Sequence, residues 1–344
     1  MPPTLEAHCG GHITLLFSID KSARLKRSQG SRGVGFTVQH GVRITGTLHT
    51  LVDRMSPNTL VGVQPDPKYR ADGHESSTVS IVDMNGHAIE DPSLYIDFIE
   101  ACHHATLLRD HECLEVHVNL QCPTSQGFGM SAAGLLALGR LIQSLTGRGR
   151  SVQYQKIAHR IERERGAGLG DVLGISVGGV ELRRQPGAPG WPGEAVSFAV
   201  EAPVLLVWDA QEERHTSTYI DDPTWQTAIT SAGEQGVAVL ANGPWDVSRW
   251  ADILEQSRTF ADVSGMLNES VRARVYHATL EAVQDAALQA RVAVRLCMLG
   301  SSVAILPRRL NDPADEQDLQ RLAETIQTRG LCTLLTSFAE VIPR

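Results

Sequence analysis

One segment, from residue 114 to residue 147, constrains the fold of this chain most strongly. Apolar and polar residues alternate from 114 to 120, which predicts a strand with one buried face. Residues 123–131 then read Pro-Thr-Ser-Gln-Gly-Phe-Gly-Met-Ser, and apolar residues recur at helical spacing from 135 to 145, with Gly147 as the expected stop. In a strand, glycine loop and helix in this order, main-chain N–H groups and the positive helix end can face an anion.

The rest of the chain mixes strands and helices. Strands are predicted from apolar runs at 13–17, 36–38, 204–208, 295–299 and 303–306. Helices are predicted at 94–108, 152–165, 246–260, 268–290 and 315–329. The order lacks strict strand–helix alternation, so the sequence predicts an α+β fold. A chain of 344 residues is long enough for two domains. The Pro/Gly-dense stretch at 185–193 predicts a boundary between domain 1–190 and domain 191–344.

Composition excludes several classes of function. The chain carries 31 basic and 39 acidic residues, and without a dense basic stripe a nucleic-acid partner is not expected. None of the four lysines follows a glycine, which excludes the Gly-Lys-Ser/Thr of a P-loop. No apolar run is long enough to span a membrane. Six scattered cysteines without a Cys-x-x-Cys pair or a secretion signal predict a reducing, cytoplasmic location.

The glycine loop at 127–133 is the sharpest chemical signal. Its small residues would let the backbone approach a phosphate group closely. Residue 132 is alanine, so the strict dinucleotide-binding pattern Gly-x-Gly-x-x-Gly is absent. A small-residue turn that caps a packed helix and binds nothing is the alternative on these residues alone.

Carboxylates lie on and after the helix expected at 152–165. Asp171 follows glycines at 166, 168 and 170 and could accept a hydroxyl proton from a turn, although it could equally cap the next helix. Glu162 and Glu164 lie among arginines, where solvated ion pairs are the usual finding. Magnesium bound with a nucleotide requires only one or two protein carboxylates, so one of these glutamates and Ser131 could supply its ligands.

Several short motifs together resemble those of the GHMP kinase superfamily and, within it, the pantoate kinases of archaea. They are Gly11-His12-Ile13-Thr14, Gly30-Ser31-Arg32-Gly33, the loop at 127–131, Gly168-Leu169-Gly170-Asp171, Gly178-Gly179 and the Pro/Gly run at 186–190. The resemblance covers the chain nearly end to end. It implies a ribosomal S5 domain 2-like N-terminal domain, a ferredoxin-like C-terminal domain, and ATP bound in the cleft between them.

The same resemblance assigns roles to individual residues. Those expected to line the phosphates of ATP are Gly127, Phe128, Gly129, Met130, Ser131 and Ala132. Ser131 and Glu164 are expected to hold Mg²⁺, with Glu162 as the second choice, and Asp171 is expected to act as the base. His12, Ser31, Arg32 and Gly33 are expected to face the acceptor, with the planar guanidinium of Arg32 suited to a carboxylate.

This chain also departs from the family pattern. Ser125 stands where the first loop glycine is usual, Met130 replaces the first of two serines, and the C-terminal glycine-rich motif is reduced to residues 299–302. The implied activity is an ATP- and magnesium-dependent kinase that phosphorylates the primary hydroxyl of pantoate to 4-phosphopantoate, on an archaeal route to coenzyme A. The alternatives are a kinase for another small hydroxy acid or alcohol, such as mevalonate or homoserine, and a nucleotide-binding regulatory protein without catalysis. The sequence leaves the oligomeric state open, with a homodimer as one option.

Overall fold

The structure, a computed structural model, describes residues 2–50, 77–211 and 222–342. Two sheets with helices packed against them confirm the α+β class. Within the described residues, no helix has the length and apolar character needed to cross a membrane.

The first sheet has seven strands in the order β4-β3-β5-β2-β6-β7, with β1 also paired to β2. Only the β3–β5 pair is parallel. Strands β1 and β2 form a hairpin, and both are longer than the apolar runs at 13–17 and 36–38 from which they were predicted. They continue through glycines at a register shift near residue 10. The strands are β1 (Thr4–Phe17), β2 (Gly33–Thr50), β3 (Thr78–Val82), β4 (Ala88–Ile89), β5 (Glu112–Leu120), β6 (Val180–Gln185) and β7 (Glu194–Phe198).

Four helices accompany the first sheet: α1 (Ser93–His104), α2 (Met130–Thr146), α3 (Ser151–Arg165) and α4 (Asp171–Val177). The central helix α2 is almost wholly buried, as expected for a segment rich in leucine and alanine. It ends where predicted: Gly147 adopts a φ of 65°, and its N–H donates to the carbonyl of Gln143.

The second sheet contains β8 (Pro203–Trp208), β9 (Val292–Cys297), β10 (Ser302–Pro307) and β11 (Cys332–Ser337). Its strand order is β11-β8-β10-β9, with every pair antiparallel. Counted along the chain this is the order 4-1-3-2, which agrees with the expected ferredoxin-like arrangement. The accompanying helices are α5 (Pro223–Leu240), α6 (Trp250–Val263), α7 (Ser270–Asp285) and α8 (Glu316–Gln327), and short 3-10 turns occur at Lys26–Ser28, Val247–Arg249 and Met266–Asn268.

The boundary between the two sheets differs from the sequence prediction. Strand β7, at 194–198, pairs with β6 and therefore belongs to the first sheet, although it lies beyond the boundary expected at 190/191. The Pro/Gly run before it forms the connection between these two paired strands, and the second sheet begins at β8. The chain changes sheet between residues 198 and 203.

Candidate active site

The glycine loop has an unusual backbone conformation. Ser125, Gly127 and Gly129 have φ values of 61°, 78° and 66°, so every second residue lies in the left-handed region. Glycine adopts this region at little cost, whereas serine does not. The geometry explains why a glycine is usual at the position of Ser125, and turns with left-handed residues can direct main-chain N–H groups into one concavity.

Beyond the loop, the N-terminus of α2 is left without a side-chain cap. Gly129 is the N-cap, and no described side chain accepts from the first-turn N–H groups. The first N–H bonded within the helix is that of Ala133, which donates to the carbonyl of Gly129 at 3.0 Å. The main-chain N–H groups of Met130, Ser131 and Ala132 are therefore available to an anion, although the side chains of Met130 and Ala132 are buried.

The turn between β9 and β10 supports this loop. A methyl group on Gly300 would lie 2.0 Å from the carbonyl oxygen of Gln126, and one on Gly127 would lie 3.0 Å from the nitrogen of Gly300. The Ser302 hydroxyl donates to the same Gln126 carbonyl at 2.5 Å. The reduced C-terminal motif at 299–302 thus holds the glycine loop through its backbone.

A cavity of about 560 Å³ opens in front of the loop. Its wall includes the glycine loop, Asp171 and Ser31 from the first part of the chain, and Met298 and Leu299 from the second. Apolar side chains cover one end of the cavity: Ile81, Ile89, Leu94, Tyr95 and Leu120. The sequence had no compact motif for these residues, because they come from β3, β4, α1 and β5.

Asp171 is the first residue of α4 and lies against a buried histidine. Nδ1 of His12 is 2.7 Å from Oδ1 of Asp171, and Nε2 of His12 is 2.9 Å from Oε1 of Glu181. Arg183 donates from Nη1 to the same Glu181 oxygen at 2.7 Å. His12, Glu181 and Arg183 are fully buried, whereas the Asp171 side chain keeps 24% of its surface exposed toward the cavity.

These contacts set the charges. Burial disfavours the charged form of His12, but the Glu181 charge and hydrogen bonds with both carboxylates outweigh it and raise its pKa to about 9. Burial acts against the charged form of Asp171 too, yet the His12 hydrogen bond and the positive charges of His12 and Arg183 lower the pKa of Asp171. At neutral pH an imidazolium therefore holds an ionised Asp171 at the edge of the cavity.

Of the four residues expected to face the acceptor, only Ser31 lines the cavity. Ser31 lines the cavity, but His12 is buried with both ring nitrogens engaged. Arg32 does not line the cavity: it pairs with Glu234 of α5 and donates from Nε to the carbonyl of Arg184 at 3.0 Å. Arg32 therefore faces the second part of the chain.

Gly33 begins β2 opposite Arg183 in β6. A methyl group there would lie 2.6 Å from Nη2 of Arg183 and 2.3 Å from the carbonyl oxygen of Leu16. Glycine at this position makes room for the buried guanidinium, and it is not among the residues that line the cavity.

The structure places Glu162, and not Glu164, beside the glycine loop, which favours Glu162 as the magnesium ligand. Glu164 has an exposed side chain and pairs with Arg160 at 3.8 Å on the outer face of α3. Glu162, two residues earlier and about 200° away around the helix, is 2% exposed and accepts from the Ser131 hydroxyl at 2.5 Å. Burial and the Asp171 charge raise the pKa of Glu162 to about 8.

The donor set beside the loop suits a magnesium ion that arrives with a nucleotide. A methyl group on Gly168 would lie 2.0 Å from Oε2 of Glu162 and 3.0 Å from Oδ2 of Asp171, so both carboxylates border this glycine. Among the described residues no group of three or more His, Cys, Asp or Glu could hold a metal alone. One or two carboxylates with a hydroxyl match an ion that takes its other ligands from phosphates and water.

Glu181 and Arg183 were missed by sequence reasoning. They alternate with Val180 and Leu182 in β6, a pattern that normally indicates a solvent-facing polar side. The packing of α4 and His12 on that face buries them instead. No sequence signal could have found them, because their burial depends on segments distant along the chain.

The sequence and the structure of this chain are similar to those of known kinases. Residues 96–179, which include the glycine loop and Asp171, match the model of the GHMP kinases N terminal domain. The chain is 24% identical over 261 residues to a pantoate kinase of Methanocaldococcus jannaschii, covering 76% of this chain and 81% of the relative. It is 38% identical over 154 residues to a pantoate kinase of Thermococcus kodakarensis, covering 45% and 49% of the two chains.

Among solved structures, a phosphotransferase related to the CoA biosynthesis pathway superposes with a TM-score of 0.70 at 20% identity, over 98% of this chain and 96% of that one. At that identity the superposition supports the fold. Residues 96–179 thus match a GHMP kinases N terminal domain, and the whole chain shares the fold of that phosphotransferase.

Proposed function

We propose that this chain transfers the γ-phosphoryl group of ATP to the primary hydroxyl of pantoate and forms 4-phosphopantoate in coenzyme A biosynthesis. The coarser activity, that of an ATP-dependent phosphotransferase with an alcohol as acceptor, is supported by the GHMP kinases N terminal domain matched at 96–179 and by the pantoate kinase relatives. The observation that carries the finer proposal is the position of Asp171. Its carboxylate shares one cavity with the glycine loop and with Ser31.

The loop is suited to a triphosphate. Main-chain N–H groups at the start of α2 and the left-handed turns before it would bind phosphate oxygens, and the helix dipole favours their charge. Ser131 and Glu162 would hold Mg²⁺, which would neutralise charge on the transferring phosphoryl group. The apolar end of the cavity, with Ile89 and Leu94, suits the adenine ring.

Asp171 would orient the acceptor hydroxyl and receive its proton. Its low pKa makes it a weak base, but phosphoryl transfer requires mainly positioning and charge stabilisation, so a weak base suffices. The hydrogen bond with His12 fixes the carboxylate so that Oδ2 remains for the substrate. In this proposal Asp171 is the catalytic residue, and His12 is a positioning residue.

Arg183 supports an acidic acceptor. Its Nε and Nη2 atoms have no hydrogen-bond partner among the described residues, although the side chain is fully buried. A methyl group on Gly170 would lie 2.2 Å from the Ser31 hydroxyl and 2.8 Å from Nε of Arg183, so these two groups lie together behind the cavity wall. A carboxylate beside Ser31 would offset the positive charge of Arg183 and could accept a hydrogen bond from the Ser31 hydroxyl. Pantoate carries such a carboxylate, which adjoins its secondary hydroxyl and lies at the opposite end of the molecule from its primary hydroxyl.

A panel of acceptors tests the proposal. Purified protein, ATP and magnesium are combined with pantoate, mevalonate or homoserine, and ADP release is measured. We expect acceptor-dependent ADP release with pantoate and a phosphomonoester product at the primary hydroxyl by ³¹P NMR. Faster turnover with mevalonate or homoserine would replace the proposed acceptor. ATP binding without ADP release for any acceptor would favour the regulatory alternative.

A further inference from the structure

The residues that follow β11 cross back onto the first sheet as a C-terminal strap, here residues 338–342. The strap is anchored at its start by Phe338, which is 4% exposed. The ring of Phe338 lies 4.9 Å from that of Phe36 in β2 and 5.8 Å from that of Trp250 in α6. The end of the second domain's last strand is thereby fixed to the core of the first sheet.

Two main-chain hydrogen bonds extend this anchorage. The N–H of Ala339 donates to the carbonyl of Thr37 at 2.8 Å, and the N–H of Ile342 donates to the carbonyl of Val177 at 2.9 Å. Isolated bridges also pair Phe338 with Val38 and Val341 with Gly178. The strap therefore behaves as a short additional strand between β2 and the end of α4.

Both hydrogen-bond acceptors adjoin the pair formed by His12 and Asp171. Thr37 is the cross-strand partner of His12 in the β1–β2 ladder. Val177 is the last residue of α4, and Asp171 is its first, so the strap holds the far end of a helix only about 10 Å long. A methyl group on Gly174, halfway along α4, would lie 2.5 Å from Nε2 of His12, so the helix and the histidine are in direct contact.

The Gly178-Gly179 motif provides room for the strap. These glycines have φ values of 65° and 60°. A methyl group on Gly178 would lie 2.3 Å from the carbonyl oxygen of Glu340, and one on Gly179 would lie 2.7 Å from Cγ2 of Val341. A larger residue at either position would displace the strap or the end of α4.

We propose that the C-terminal strap is a positioning element of the active site, which holds α4 against β1 and so sets the distance between His12 and Asp171. This inference rests on the proposed function, because it gives the strap a kinetic role only if Asp171 is catalytic. Small displacements of a catalytic group reduce turnover more than ground-state binding, since alignment matters most in the transition state. Within the part of the chain that the structure describes, no main-chain hydrogen bond joins the glycine loop to the strap, and the strap does not line the cavity.

A chain that ends at Phe338 tests the inference, because it keeps the aromatic anchor and loses the hydrogen bonds of Ala339 and Ile342. We expect kcat with pantoate to fall about tenfold or more while KM for ATP stays within about twofold. Hydrogen exchange should accelerate for the amides of Gly174 in α4 and of Gly178, its C-cap, and should remain unchanged in α2. Wild-type kcat with unchanged α4 exchange would overturn the inference, and so would equal loss of protection in both helices.

Gly178→Ala addresses the same contact in the full-length chain, with Gly147→Ala as a control for an alanine at a helix C-cap. Both glycines have a φ of 65°, but ψ is −172° at Gly178 and 11° at Gly147, so Gly178→Ala adds backbone strain to the steric contact with Glu340, whereas no atom lies within 4 Å of a methyl group on Gly147. We expect only Gly178→Ala to lower kcat and loosen α4, and equal effects of the two exchanges would contradict the strap's role. Failure of wild-type protein to phosphorylate any acceptor would overturn the proposed function instead. Hydrogen exchange alone would then decide whether the strap holds α4.

Discussion

Nδ1 of His12 lies 2.7 Å from Oδ1 of Asp171, and the imidazole is completely buried while the carboxylate reaches the cavity. Glu181 accepts from the opposite ring nitrogen of His12, so that the ring is fixed on both sides. The carboxylate of Asp171, at the edge of the cavity, is thus held by the positive charge of the buried His12 ring.

The stability of the protein should depend on pH through His12. Folding raises its pKa from 6.5 to about 9, so its contribution is complete below pH 6.5 and is lost as the pH rises through about 9. Thermal unfolding of wild type and His12→Gln between about pH 6 and pH 10 measures this contribution. We expect the difference in Tm to shrink over that window. A difference that is constant or grows with pH would show that His12 is neutral in the folded protein.

Asp171→Asn should reduce kcat about 10²–10⁴-fold, because the amide cannot accept the hydroxyl proton. ATP affinity should change little, since the loop amides and Ser131 are unaltered. Steady-state kinetics and ATP titration of the variant measure both quantities. Asp97→Asn, on the exposed ion pair with Arg165, is the control for loss of one carboxylate. Near-normal turnover of Asp171→Asn would exclude the assigned role.

Glu162→Gln should raise the magnesium concentration required for half-maximal activity, and Ser131→Ala should do so to a smaller extent. Both side chains adjoin the loop and contact each other at 2.5 Å. Glu164→Gln is the control, because it replaces the same kind of carboxyl group two residues away on the exposed face. A magnesium titration at fixed ATP measures the effect. A larger shift for Glu164→Gln than for Glu162→Gln would reverse the assignment made from the structure.

Arg183→Lys should weaken the binding of pantoate more than the binding of ATP. Lysine keeps the charge beside Glu181 but loses the planar fork, whose Nε lies nearest to Ser31 and Gly170. Because Arg183 is buried and does not line the cavity, we expect KM for pantoate to rise through the displaced positive charge beside Ser31, by less than the loss of a direct hydrogen bond would cause. Arg32→Ala, which breaks the pair with Glu234, should change KM for pantoate much less. The opposite ranking in steady-state kinetics would return the acceptor role to Arg32.

Ser125→Gly should stabilise the protein by up to about 1 kcal/mol. Glycine removes the strain of a non-glycine residue in the left-handed region, and this gain exceeds the loss that comes from the greater conformational entropy of glycine in the unfolded chain. Ala286→Gly is the control: Ala286 is exposed and has a φ of −79°, so glycine there brings the entropic cost without relief of a left-handed residue. Chemical denaturation of both variants measures the free energy of unfolding. Destabilisation by Ser125→Gly would mean that the serine side chain contributes more than the strain it causes.

Local sequence patterns were sufficient for most elements of the fold. The alternation at 114–120 and the helical periodicity at 135–145 correspond to β5 and α2, because each burial pattern is a property of consecutive residues. The position of the domain boundary was less well determined. A Pro/Gly run marks a connection, but only strand pairing shows that β7 returns to the first sheet.

The sequence by itself determined the glycine loop, the carboxylate that follows Gly170, and a nearby helix with acidic residues, since residue type and spacing carry that information. Tertiary structure decided which groups meet. It turned Glu162 inward and Glu164 outward, directed Arg32 to α5, and buried His12 between Asp171 and Glu181. These outcomes depend on charges and packing contributed by β6, α4 and α5, which are distant along the chain and close only after folding.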